Sequence, residues 1–160
     1  MDDTVGAPGR EHPGRHRMIP SRTQLDSWRS FLRAHAGITK VLESELEVEQ
    51  DLSLAAYDVL VQLSEAPERR LRMTELAEAV LLSRSGVTRL VDRMEKVGLV
   101  ARAKVAADGR GVTARLTDAG YERLRIAATT HLRGVRQHFA DRLDADDLTD
   151  LERITRKLIP

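Results

Sequence analysis

The chain has 160 residues, 41% hydrophobic and only 3% aromatic, with a formal net charge of +1 and no cysteine. This length suits one domain with or without an arm, and a core restricted to Leu, Val, Ile and Ala favours helices over sandwiches or barrels. The lack of cysteine excludes disulfides, thiolate zinc sites and thiol switches and fits a reducing cytoplasm, while no apolar run resembles a membrane span or the core of a signal peptide.

Residues 1–20 contain Pro8, Pro13, Pro20, Gly6, Gly9 and Gly14 without apolar periodicity, and are expected to form a disordered basic arm carrying Arg10, Arg15 and Arg17. A solvated tail is the expectation, with contact to DNA phosphates the alternative. A long helix follows. Leu25, Trp28, Leu32, His35, Thr39, Leu42 and Leu46 recur at helical spacing, flanked by Phe31, Ala34, Ile38 and Val41. About 24 residues would extend roughly 36 Å, more than a small domain covers, so part of this stripe is expected to meet a second chain.

Ser53 is placed to cap a helix from Leu54 to Ser64, which Ala66-Pro67 ends. Thr74 precedes a short helix from Glu75 to about Val80. Ser83 caps the next, which runs to Val97 and stops at Gly98. Leu99 to Lys104 and Gly111 to Leu116 read as two strands around the turn Ala107-Asp108-Gly109-Arg110. Thr117 caps a helix bearing Leu124, Ala128, His131, Leu132, Val135 and Phe139, and a last helix bears Leu148, Leu151, Ile154 and Leu158. The fold class is mainly α with a small β-hairpin wing.

Two short helices joined by a tight turn and followed by a hairpin form the arrangement that lays one helix in a major groove. In the second helix Val87, Leu90, Val91, Met94 and Val97 are expected to pack inward. Arg84, Ser85, Thr88 and Arg89 then face out near its N-terminus, where Arg can donate twice to guanine and Ser or Thr suits bases and phosphates. Ser83 leaves the first N–H groups of that helix open to a phosphate. Arg110, between Gly109 and Gly111 at the hairpin tip, can enter a minor groove, and Asp108 can orient an arginine of the helix. Charge placement agrees. Between Arg70 and Arg115 ten Lys/Arg face five Asp/Glu, whereas Glu43 to Asp58 holds six acids and no base.

The runs "SRSGVTRLVDRMEKVGLV" and "DGRGVTARLTDAG" resemble the MarR family of bacterial transcriptional regulators, and the helix order matches from Leu25 onward. The resemblance implies a winged helix-turn-helix, a homodimer joined by its N- and C-terminal helices, and double-stranded DNA with a pseudo-palindromic operator as partner. It places the major-groove positions on Arg84, Ser85, Thr88 and Arg89, and the wing positions on Asp108 and Arg110. Ala106-Ala107 depart from the more charged approach common in the family wing, which leaves more of the wing's affinity to Arg110. Residues 21–160 are then one MarR-like domain, with 53–116 as the winged lobe and 21–50 and 117–160 as dimerisation helices. The apolar stripes of the first and last helices point to the same dimer independently.

The resemblance also implies a repressor released by a small aromatic or phenolic acid bound between the dimer helices and the winged lobe. Trp28, Arg29, His35, Tyr57, Asp58 and Arg89 are the candidate contacts. Trp28 and Asp58 are similar to residues of urate-responsive members, but Leu90 stands where one key arginine is expected. His12, His16, His35, His131 and His138 form no tetrahedral set, so neither metal nor cofactor is expected. No nucleophile–base pair or phosphate-binding glycine loop points to an enzyme. The competing class is a winged-helix protein-interaction module, which calls for an apolar or acidic face at residues 84–89.

Overall fold

A computed structural model describes residues 19–80, 82–104 and 111–159, so the basic arm lies almost wholly outside the described residues. The chain divides within its first helix into two units, Met1–His35 and Ala36–Pro160. In chain order the elements are α1 (Arg22–Gln50), α2 (Leu54–Glu65), a 3-10 turn (Pro67–Arg69), β1 (Arg70–Arg72), α3 (Met73–Ala79), α4 (Arg84–Lys96), β2 (Val100–Lys104), β3 (Val112–Leu116), α5 (Asp118–His138), a second 3-10 turn (Ala140–Arg142) and α6 (Ala145–Thr155). No helix among the described residues is long and apolar enough to cross a membrane.

In the first unit, α1 starts at a reciprocal cap. Ser21 N–H donates to Gln24 Oε1 at 2.7 Å, and Gln24 N–H donates to Ser21 Oγ at 3.3 Å. Trp28 stacks on Phe31 with ring centroids 6.1 Å apart, and Phe31 on His35 at 6.4 Å. This run stays wet in the isolated chain, with Trp28 55% exposed.

In the second unit the core gathers Leu46 of α1, Leu60 and Leu63 of α2, Leu76 of α3, and Val87 and Val91 of α4, all fully buried. The hydroxyls of Ser53, Ser83 and Thr117 accept from Ala56, Gly86 and Gly120 N–H, so all three expected caps are made. α1 ends at Asp51, held at φ 45°, where Leu52 N–H reaches back to Leu46 O at 3.4 Å. The C-terminal part of α1 binds α5 through a polar ladder. Glu45 Oε1 lies 2.6 Å from His138 Nε2, Glu49 pairs with Arg133, and Gln50 bridges Thr130 and Arg123 at 2.9 and 3.1 Å.

The sheet has three antiparallel strands in the order β1-β3-β2. Leu71 and Arg102 both sit opposite Ala114, while Arg70 and Ala101 both sit opposite Arg115. Alternation therefore sends Leu71, Val100, Arg102, Ala114 and Leu116 toward the helices.

Four details differ from expectation. β1 is an added strand, too short for alternation to show, reached through a turn in which Glu68 and Arg69 both hold φ 54°. α3 begins at Met73, and Glu75 accepts from Arg72 N–H at 2.8 Å, so Thr74 lies inside the helix rather than before it. Val97 is 69% exposed instead of inward, because α4 ends at Lys96 and Gly98, at φ 76°, turns the chain away. α6 ends at Thr155, which leaves Leu158 beyond it.

Candidate nucleic-acid interface

α4 is amphipathic along its whole length. Val87, Leu90, Val91 and Met94 are buried, and above them Arg84, Ser85, Thr88 and Arg89 are exposed. Neither Arg84 nor Arg89 has an ion-pair partner among the described residues, and both side chains are exposed. Ser83 sits at the N-cap with extended backbone, its Oγ 3.1 Å from Gly86 N and 3.3 Å from Ser85 Oγ. The hydroxyl of Thr88 donates to Arg84 O at 2.8 Å. Its donor is committed to the helix, and toward a ligand it is chiefly an acceptor.

A groove of about 480 Å³ runs between this helix and the sheet, lined by Arg72, Met73, Thr74, Thr88, Arg102, Gly111 and Val112. Asp108 and Arg110 lie outside the described residues; the strands that lead to and from them are described. At the base of the hairpin, the Thr117 hydroxyl reaches the Gly98 and Leu99 carbonyls at 2.7 and 3.0 Å while Gly120 N–H donates to it at 2.9 Å. One side chain thereby joins the end of α4, the start of β2 and the start of α5.

Two groups escaped the sequence reading. β1 puts Arg70 directly opposite Arg115 on the outer sheet face, a like-charge pair relieved by the Arg70–Glu68 ion pair. Arg102 points inward and meets Asp92 and Glu95 of α4. Its only signal in the sequence is a charge at an inward position of the Val100–Lys104 alternation.

The effector candidates fall in two groups. Trp28, Arg29 and His35 lie on α1 in the first unit, where Arg29 Nη1 pairs with Asp26 at 3.2 Å. Tyr57 and Asp58 lie on α2 in the second, where the buried ring of Tyr57 lies 4.4 Å from that of His131 and is tilted 34° to it. Burial raises the Asp58 carboxyl above its ordinary range, with His131 partly opposing the shift. Burial likewise lowers His131, with Asp58 opposing. Burial, reinforced by Asp58, raises Tyr57. His131 Nδ1 is shut off from solvent and has no hydrogen-bond partner among the described residues. Among the described residues no cluster of His, Asp and Glu could hold a metal ion.

A sequence profile of the MarR family matches residues 50–111. The chain is similar to Sco3205, a MarR family transcriptional regulator of Streptomyces coelicolor solved in complex with DNA: identity is 36%, the TM-score 0.83, and 91% of each chain is covered. Against AbsC, a second regulator of this family from the same organism, identity is 36% and the TM-score 0.80, over 88% of this chain and 94% of that one. The transcriptional repressor MprA of Escherichia coli is 28% identical over 76% of this chain and 69% of its own length.

Proposed function

Because the chain belongs to the MarR family of transcriptional regulators, we propose that it binds double-stranded DNA as a cytoplasmic homodimer and represses transcription. The observation that carries this reading is the exposed face of α4, where two arginines and two hydroxyl residues project from a helix whose opposite face is locked into the core. Arg84, Ser85, Thr88 and Arg89 read the major groove, and Ser83 opens the helix N-terminus to a phosphate. Arg110 contacts the minor groove, with Asp108 orienting an arginine beside it. The DNA-bound structure of the similar Sco3205 supports DNA as the partner, and the repressor MprA supports repression. A protein-docking module would need an apolar or acidic face here, and this one is basic and polar.

Two recognition helices related by two-fold symmetry would reach half-sites about 34–36 Å apart. The exposed Trp28, Phe31 and Leu32 of α1, together with Leu148 and Ile154 of α6, supply apolar surface for pairing the two chains. A small aromatic or phenolic acid that lowers operator affinity completes the reading, with Trp28, Arg29, His35, Tyr57 and Asp58 as the side chains to test one by one.

The test is fluorescence anisotropy on duplexes selected from random DNA, in a salt series. Arg84→Ala and Arg89→Ala should each cost about 1–3 kcal/mol of specific binding. Arg110→Ala should weaken all sequences alike and reduce the salt slope by about one. A triple variant that binds as tightly as the wild type overturns the assignment. Sedimentation of the full chain should report a dimer.

A further inference from the structure

β2 carries a guanidinium where its alternation calls for an apolar side chain. Val100 and its partner Leu116 are 2% and 3% exposed, and Ala114, opposite Arg102, is fully buried. Arg102 points into this layer with its side chain 23% exposed. Its Nε and Nη2 are closed off from solvent and meet their partners as ion pairs rather than through hydrogen bonds. A buried cation is costly unless it is paired, and both partners come from the recognition helix. Nη2 meets Asp92 Oδ1, and Nε lies 3.3 Å from Glu95 Oε2. Glu95 also takes the backbone, since Arg102 N–H donates to its Oε1 at 2.9 Å. One carboxylate thus grips strand and side chain together.

The position of these acids on α4 matters. Ser85, Thr88, Asp92 and Glu95 follow each other at spacings of three, four and three, so they form one stripe along the helix. The half of the stripe proposed to face DNA is neutral and polar, and the other half is occupied by the wing. Thr88 and Arg102 line the same groove. Asp92 and Glu95 remain 46% and 42% exposed, so either can rehydrate if Arg102 is removed.

We propose that Arg102 is a positioning residue: by clasping Asp92 and Glu95 it holds the β2–β3 hairpin against the recognition helix, so that helix and wing engage DNA as one rigid reader. This rests on the DNA-binding function proposed above. Arg102 itself touches no DNA; it fixes where β2 and β3 stand relative to Arg84 and Arg89.

The test is a set of double-mutant cycles with Arg110→Ala, run in the wild-type background, in Arg102→Met, and in Asp92→Asn with Glu95→Gln. The two clasp-breaking backgrounds change the charge in opposite directions, so a purely electrostatic role moves their affinities apart. Loss of positioning moves them together. In both, Arg110→Ala should cost at least about threefold less affinity than it does in the wild-type protein. The same fold-loss in all three backgrounds overturns the proposal. A second readout needs no DNA. The cysteine-free chain takes spin labels at Lys96→Cys and Ala103→Cys, diluted with unlabelled chain so that only intrachain pairs count. The distance distribution should be narrow in the otherwise unaltered protein and broadened in Arg102→Met; an unchanged width also overturns the proposal. If the wild-type protein binds no duplex, the DNA-binding function falls, and the label distances alone decide whether Arg102 holds the hairpin.

Discussion

Gly120 and Gly37 both lie inside helices, yet alanine at each should move stability in opposite directions. A Cβ on Gly120 would stand 2.0 Å from Leu99 O, 3.0 Å from Leu99 C and 2.7 Å from Leu116 Cδ1. The first two atoms are backbone, and Leu99 O already accepts from Thr117 N at 3.2 Å. Relief therefore requires α5 to lift away from β2 by about an ångström, which disturbs the Thr117 cap. Overpacking of this kind costs about 1–3 kcal/mol and a lost cap about 1 kcal/mol, against roughly 1 kcal/mol gained from replacing a helical glycine. The net is about 1–3 kcal/mol. For a domain of this size it should lower Tm by roughly 3–10 °C. A Cβ on Gly37 meets nothing within 4 Å, so Gly37→Ala should keep the propensity gain of up to about 1 kcal/mol and raise Tm by a few degrees. Thermal unfolding followed by circular dichroism, at matched protein concentration because the proposed dimerisation would shift Tm, measures both. Gly120→Ala melting at or above the wild type would refute the account of how α5 docks on the hairpin.

Asp51 holds φ 45° at the end of α1, a conformation that costs a side-chain-bearing residue about 1 kcal/mol. Asp51→Gly should raise the urea midpoint at unchanged slope, and a lowered midpoint would show that its side chain does something the backbone geometry does not reveal. The half-buried Asp58–His131 pair sets two pH dependences of opposite sign. Asp58 is raised in the fold, so the native state holds its proton more tightly than the unfolded chain; stability is lost as pH climbs from about 4 through the raised native value. Asp58→Asn should therefore be more stable than the wild type at neutral pH and lose that advantage in acid. His131 is lowered, so the unfolded chain takes up its proton first and stability falls as pH drops below about 6.5. His131→Asn should flatten that limb in melting curves taken between about pH 4 and pH 8, and an unaltered limb would assign the acid loss elsewhere.

The parts of this fold that local chemistry specifies were legible in the sequence. Ser53, Ser83 and Thr117 each cap the helix they precede, and Gly98 ends α4, because a cap depends on residues within three or four positions. β1 was not legible. Arg70-Leu71-Arg72 has no strand pattern of its own and is a strand only because β3 arrives beside it. Val97 was misassigned because helical spacing was extended past the residue where the helix ends. In the face proposed to read DNA, the outward placement of Arg84, Ser85, Thr88 and Arg89 follows from periodicity, since their neighbours at i+3 and i+4 fill the core. The clasp of Arg102 depends on the register of β2 with β3 and the approach of α4, and neither is written in a local pattern.

The strand order also bears on how the chain folds. Among the described residues β1 pairs only with β3, so its first residue, Arg70, waits for Arg115 before it has a ladder to join. Everything between them, including both helices of the helix-turn-helix, forms a loop that this pairing closes. Closure at such separation costs entropy that local helix formation does not recover, and contacts of this range slow folding. During synthesis α3 and α4 can form and pack on each other and on α2 as they emerge, but the sheet beside them closes only after β3 has been made. The sheet that backs the proposed DNA-reading face is therefore among the last parts of the winged lobe to be completed. A nascent chain that stops short of Leu116 would carry a recognition helix without the sheet that aims it.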